Sequence, residues 1–215
     1  MRNFLQKLLI WIYPQLALLK SAEYDFTKLR SWQHHVKKGK NVRIGTVALL
    51  SDVEIGDYSY LSGNAVVSNT TIGKFCSIGP NFFCGWGVHP VDGISTSPVF
   101  YSSKARFTFS REDKVDEHPH ITIGNDVFIG ANVTVLEGVT IGDGAVIGAG
   151  TIVSKDIPPY AIAVGSPVQI KRYRFPEEKV RALQRIAWWD FDEERLQEVE
   201  RRFFDVDAFI DEFDK

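Results

Sequence analysis

Residues 121–157 read ITIGNDVFIGANVTVLEGVTIGDGAVIGAGTIVSKDI, and an aliphatic side chain returns at every sixth position: Ile123, Ile129, Val135, Ile141, Ile147 and Val153. Gly follows at 124, 130, 142 and 148, and four residues after each aliphatic position stands a second apolar or small side chain, Val127, Val133, Val139, Ala145, Thr151 and Ile157. Each six-residue unit therefore offers two side chains to one interior. A helix, with its period near 3.6, does not repeat this way. A short strand followed by a sharp corner does, with glycine taking corner dihedrals that other residues avoid. Such a unit cannot bury its inner face alone and must stack on its neighbours, which predicts a parallel β-helix, an all-β solenoid. Ile129 and Ile141 are expected inside, and Asn125, Asp126 and Asp143 at the surface.

The register continues upstream through Leu49, Ile55, Leu61 and Val67, then contracts by one residue to Ile72, Ile78 and Cys84. Val53, Ser59, Ala65, Thr71, Cys76 and Phe82 fall at the second inward position. Between residues 85 and 120 the period vanishes. A long non-repeating excursion from a rigid stack is usually a binding or catalytic loop. After Ile157, Pro158 and Pro159 remove ladder donors and stop the repeat. Pro176 suits a first helical position, Glu177 and Glu178 complement a helix dipole, and Val180, Leu183, Ile186 and Ala187 make an apolar stripe. Asp192 reads as the N-cap of a second helix through Leu196, Val199 and Phe203, with a short third segment over 207–213. The expected organisation is an N-terminal helical segment over 1–40, the β-helix over 41–170 with the excursion at 85–120, and a C-terminal helical extension over 171–215.

A chain of 215 residues with 44% hydrophobic content supports one sizeable core, and its net charge of −2 gives no footing for a nucleic-acid partner. Its two cysteines, Cys76 and Cys84, both fall on inward positions, which reads as reduced core packing in a cytoplasmic protein. The uncharged run Leu8 to Leu19 is shorter than the roughly 20 residues of a spanning helix and is interrupted by Pro14. Residues 3–20 read as helical pieces packing on the first coil. A second reading of this run is peripheral membrane contact through Trp11 and Tyr13.

Several signatures coincide: the Ile-Gly repeats, the loop Gly87-Val88-His89-Pro90-Val91-Asp92-Gly93, the stretch Val153-Ser154-Lys155-Asp156-Ile157-Pro158-Pro159, the turn Val164-Gly165-Ser166-Pro167, and Trp188-Trp189-Asp190. Together they resemble the hexapeptide-repeat, left-handed β-helix acyltransferases, and within them the xenobiotic and sugar O-acetyltransferase branch, chloramphenicol and streptogramin acetyltransferase-like. The resemblance implies left-handed coils and a homotrimer with active sites between subunits. It also implies acetyl-CoA as cosubstrate and a small-molecule or glycan acceptor.

Moving an acetyl group from a thioester to a hydroxyl requires a base, because a protonated hydroxyl is a poor nucleophile, and an imidazole is the natural agent. His89 lies in the excursion, flanked by Gly87 and Pro90. The matching His of the family takes the acceptor proton and passes it toward the departing thiolate, without an acyl-enzyme. Asp92 either orients this imidazole or caps the turn at Gly93; a backbone carbonyl is a third partner for the ring. By the resemblance, Ala131 and Ala149 contact the pantetheine arm through backbone groups, and Ser154 and Lys155 follow it, with Lys155 toward phosphate. Of two later basic positions Arg172 is kept and Gln169 stands at the other, with Lys171 and Arg174 nearby. Trp86, Tyr58 and Tyr101 offer aromatic faces and hydroxyls to an acceptor. Trp188 and Trp189 read as packing of the helical extension on the solenoid.

Two alternatives stand beside this. One is N-acetylation of a nucleotide-linked amino sugar. The other is a zinc carbonic-anhydrase-like protein using His89, His118 and His120; His118 and His120 lie two apart, which does not align ligands on stacked coils. No metal is expected.

Overall fold

The computed structural model describes residues 31–215; the expectations for residues 3–20, Trp11 and Tyr13 lie outside them. The chain forms a left-handed parallel β-helix of about eight coils followed by helices. Each coil has three faces. The first is a sheet built from Arg43–Ile44, Tyr60–Leu61, Ser77–Ile78, Phe128–Ile129, Val146–Ile147 and Ala161–Val164, closed by the antiparallel strand Gln169–Tyr173. The second and third share longer strands such as Ala48–Ile55 and Ala65–Ile72, which bend at Asp52 (φ 56°) and Asn69 (φ 43°).

The interior is the one the hexads require. Ile129, Val133, Ile141, Ala145, Ile147, Thr151 and Val153 are fully enclosed, with Cys76 and Cys84 among them as free thiols. Burying each aliphatic side chain contributes about 1.5–3 kcal/mol. Pairing shows why the upstream register contracts. Ala48 pairs with Ala65 and Ala65 with Phe82, seventeen residues apart, whereas Thr134 pairs with Ile152, eighteen apart. The shorter coils omit one corner residue, which shifts the inward position: Leu50 and Thr70 are buried, while Leu49 is 39% exposed and Thr71 is half-buried, not inside as expected.

The repeat glycines serve a different end from the one expected. Gly124, Gly130, Gly142 and Gly148 do not take positive φ; a Cβ on Gly130 would stand 2.6 Å from the backbone nitrogen of Ala149, and one on Gly142 2.5 Å from that of Pro159. Close approach to the next coil demands glycine there. The left-handed corner residue comes two positions later, at Asp126, Asn132, Gly144 and Gly150. Asn125, Asp126 and Asp143 are accordingly half-buried rather than exposed: the Asp143 carboxylate accepts from Asn125 N at 2.7 Å, and Asp126 pairs with Arg174 at 2.8 Å.

The coil stack also starts before the expected boundary at 41. Trp32–Lys38 is a strand in parallel register with Ala48–Ile55, so it extends the ladder rather than forming a helix. Beyond the coils come α1 (Glu177–Ile186), α2 (Glu193–Arg201) and α3 (Val206–Phe213). Pro176 is the N-cap of α1 rather than its first residue, and Asp192 caps α2 by accepting from Arg195 N at 2.8 Å. Tyr160, Val180, Leu183 and Phe209 make a second apolar cluster, and Trp188 packs 5.0 Å from Phe75 on the solenoid. Among the described residues no helix is long and apolar enough to cross a membrane.

Candidate active site

The excursion leaves the second face after Cys84, where Gly85 takes φ +78°, and rejoins the third face at Ile121. Its two ends are tied together and to the coils beside them. Val88 N donates to Glu117 O at 2.8 Å, Asn69 Nδ2 to His118 O at 2.6 Å, and Gly138 N to Pro119 O at 3.3 Å. Gly87 N donates to the carboxylate of Glu137, whose side chain is only 4% exposed. Gly87 has φ +89°, which favours glycine, and a Cβ there would also meet His118 Cε1 at 2.8 Å and oblige that ring to shift.

This stem presents His89 to solvent. Its Nδ1 lies 2.6 Å from the hydroxyl of Tyr101, with the rings edge to face. Tyr101 is 4% exposed, fixed by a 3-10 turn over Pro98–Phe100 and by its carbonyl, which accepts from Lys114 N at 2.9 Å. Burial, and then the Glu117 carboxylate that reaches the same hydroxyl, raise the Tyr101 pKa above the ordinary phenol value. Ser102 Oγ donates to Glu117 at 2.7 Å and steadies it. Nδ1 of His89 and the Tyr101 hydroxyl share one hydrogen bond, whose donor is set by the imidazole tautomer.

Asp92 is exposed and makes no hydrogen bond to His89 among the described residues, so the partner expected there is replaced by Tyr101. Trp86 stands 65% exposed on the same stem. Tyr58 is elsewhere: it lies at the corner between the third and first faces, stacks on Phe75 at 5.1 Å and donates to Glu193 of α2 at 3.0 Å. Ala131 and Ala149 stack at the corner between the first and second faces, joined by Gly150 N donating to Ala131 O at 2.9 Å. Ser154 and Lys155 are exposed at the corner between the second and third faces, from which the excursion also springs. Arg172 lies on the first face opposite Ile162. These residues are therefore spread over three corners and a face of the chain.

His118 Nδ1 is 3.8 Å from Glu137, and His120 meets Thr71 Oγ1 at 2.9 Å and Asn69 Oδ1 at 3.2 Å, so these two do not converge with His89 on an ion. Burial pushes both cysteine thiols up to about 12, which disqualifies them as nucleophiles. Glu117 and Glu137 escaped the sequence reading. Glu117 sits in a stretch with no period, and Glu137 occupies a corner position that in the next coil carries the exposed Lys155.

The model of the bacterial transferase hexapeptide family (six repeats) matches residues 120–155. A chloramphenicol acetyltransferase of Escherichia coli is 34% identical over 168 residues, 69% of this chain and 80% of that protein. A probable macrolide acetyltransferase of Lysinibacillus sphaericus is 40% identical over 129 residues, 58% of this chain and 71% of that protein. A solved galactoside acetyltransferase in complex with coenzyme A is 27% identical, with a TM-score of 0.46 over 81% of this chain and 80% of that one. With the coil architecture and the likeness to the chloramphenicol acetyltransferase, the chain belongs to the hexapeptide-repeat acetyltransferases and is an acyltransferase enzyme.

Proposed function

We propose that the protein transfers an acetyl group from acetyl-CoA to a hydroxyl of a sugar, glycan or related small molecule by direct transfer, with His89 as general base. The observation that carries this is the His89–Tyr101 contact at 2.6 Å on a stem gripped by Glu137. Nε2 takes the acceptor proton as its oxygen attacks the thioester carbonyl. The tetrahedral intermediate collapses by breaking the C–S bond, and the departing thiolate takes the proton back from the imidazolium. Tyr101 keeps the ring in the tautomer this needs, in the part usually given to a carboxylate; Asp92 and Tyr58 have no part in that step. Trp86 offers an aromatic face to the acceptor. The pantetheine arm is assigned to the backbone at Ala131 and Ala149, and the phosphates to Ser154, Lys155 and Arg172.

These cofactor residues lie too far around the coil for one cleft, and a neighbouring subunit resolves this. Trp32, Leu49, Val66, Phe83, Thr134 and Ile152 stand in register along the outside of the second face. Trp32 is 54% exposed and Ile152 40%, so this apolar ladder supports a homotrimer packed on its second faces. The two buried free thiols suit a cytoplasmic setting. The test is acceptor-dependent release of coenzyme A thiol from acetyl-CoA, scanned over free sugars, nucleotide sugars, nucleotide-linked amino sugars, glycan fragments and chloramphenicol. Transfer to a hydroxyl acceptor is expected; transfer to amines alone would overturn the O-acetylation reading.

A further inference from the structure

We propose that His34, His35 and Asp52 form a binding site for a divalent transition-metal ion, separate from the acyl-transfer site. These residues lie on two stacked coils at the corner between the second and third faces, the corner from which the excursion springs on a later coil, and none of the three is among the residues assigned to acyl transfer. One ligand-capable atom from each lies within 4.8 Å of the others.

The backbone explains how two consecutive residues join one cluster. Neighbours in an extended strand point to opposite sides. His35 instead takes φ 49° at the corner, which brings its ring against that of His34, the centroids 3.7 Å apart. Asp52 occupies the same corner one coil on, with φ 56°, and its Oδ1 is 2.9 Å from His35 Nδ1. Imidazole nitrogens and carboxylate oxygens bind zinc at about 2.0–2.2 Å. Two such atoms at neighbouring positions of one coordination sphere stand roughly 3 Å apart, which is the separation of the His35 and Asp52 atoms. The ligands are also held from outside. Trp32 stacks flat on His34 at 5.3 Å with an interplanar angle of 4°, and Ser51 Oγ donates to Asp52 Oδ2 at 2.7 Å, so that Oδ1, which meets His35 Nδ1, is the carboxylate oxygen the ion would take over. Two nitrogens and one carboxylate oxygen suit zinc or nickel better than calcium or magnesium, which favour all-oxygen shells. All three residues are exposed, so water completes the coordination.

The same corner supplies clean variants. Asn69 occupies it in the following coil with φ 43°, so His35→Asn and Asp52→Asn keep a side chain that tolerates the left-handed backbone. The experiment titrates zinc into the chelator-treated, full-length protein against a chromophoric chelator and follows thermal melting with and without zinc. Wild type is expected to take up one zinc per chain and to melt higher in its presence. Each variant is expected to bind at least about 100-fold more weakly, since loss of even an outer partner of a ligand costs about 10–100-fold. Both should melt like wild type when zinc is withheld, which confirms that the fold is intact, and His118→Ala should bind like wild type. Equal zinc uptake by wild type and the two asparagine variants, or none by wild type, would overturn the proposal.

Discussion

The distance that matters most at the scale of single residues is the 2.6 Å between His89 Nδ1 and the Tyr101 hydroxyl. Tyr101→Phe keeps the ring and its packing but removes that oxygen, so the imidazole loses the acceptor that fixes its tautomer. Turnover is expected to fall about 10- to 100-fold, part of the 10²–10⁴ contributed by a positioned base, with little change in acetyl-CoA affinity. A loss confined to acetyl-CoA KM, with kcat unchanged, would show that Tyr101 serves the cofactor instead. His89 was legible in the sequence because it interrupts a period and lies between Gly87 and Pro90. Its partner was not. Asp92 is nearer in sequence, but the turn carries that carboxylate into solvent, while a 3-10 turn twelve residues on brings Tyr101 back beneath the ring.

At the scale of elements, the excursion is anchored by two carboxylates at different points. Glu137, nearly buried, accepts from Gly87 N, and Glu137→Ala leaves that amide without its partner at a cost of about 1–3 kcal/mol. Faster amide exchange across residues 85–90 and a drop in turnover are expected together; unchanged exchange there would show that Glu137 does not anchor the stem. Farther out, Asp113 accepts from Ser103 Oγ and Ser103 N at 2.7 Å each, with Lys104 at 3.1 Å, and these bonds lower its pKa to about 2. A carboxyl group more acidic in the folded loop than its free value of about 3.9 stabilises that loop fully above about pH 4 and loses the effect as pH falls toward 2. Protection of residues 103–113 should therefore decline from pH 4 to pH 2 in wild type and be low already at pH 4 in Asp113→Asn. Matching protection in the two proteins at pH 4 would contradict this. The coils were legible because burial imposes the hexad on every inward residue. The slip from Leu50 to Leu49 came from the seventeen-residue coils, whose missing corner residue moves the phase without changing the spacing on either side. The repeat glycines were recognised, but their cause lies in contacts between coils that no single hexad contains.

For the whole molecule, the three faces differ in what they leave outside. The third face carries Lys37, Glu54, Thr71, Thr122 and Thr140 in register, all polar, whereas the second carries the apolar ladder from Trp32 to Ile152. Val91, Ile94, Phe107 and Phe109 add exposed apolar surface on the excursion. Sedimentation near three times the chain mass of 24.3 kDa is expected, and the double variant Leu49→Lys, Phe83→Lys should sediment as a monomer that retains its fold but not its turnover. A fully active monomer would remove the need for a site between subunits. The central claim is that this solenoid displays His89 as the base for acetyl transfer. The most direct measurement is steady-state release of coenzyme A thiol by wild type and His89→Ala on the same hydroxyl acceptor, alongside acetyl-CoA affinity. Turnover by His89→Ala is expected to fall by about 10²–10⁴ with affinity within a few-fold of wild type; near-normal turnover would contradict a role for His89 as the base.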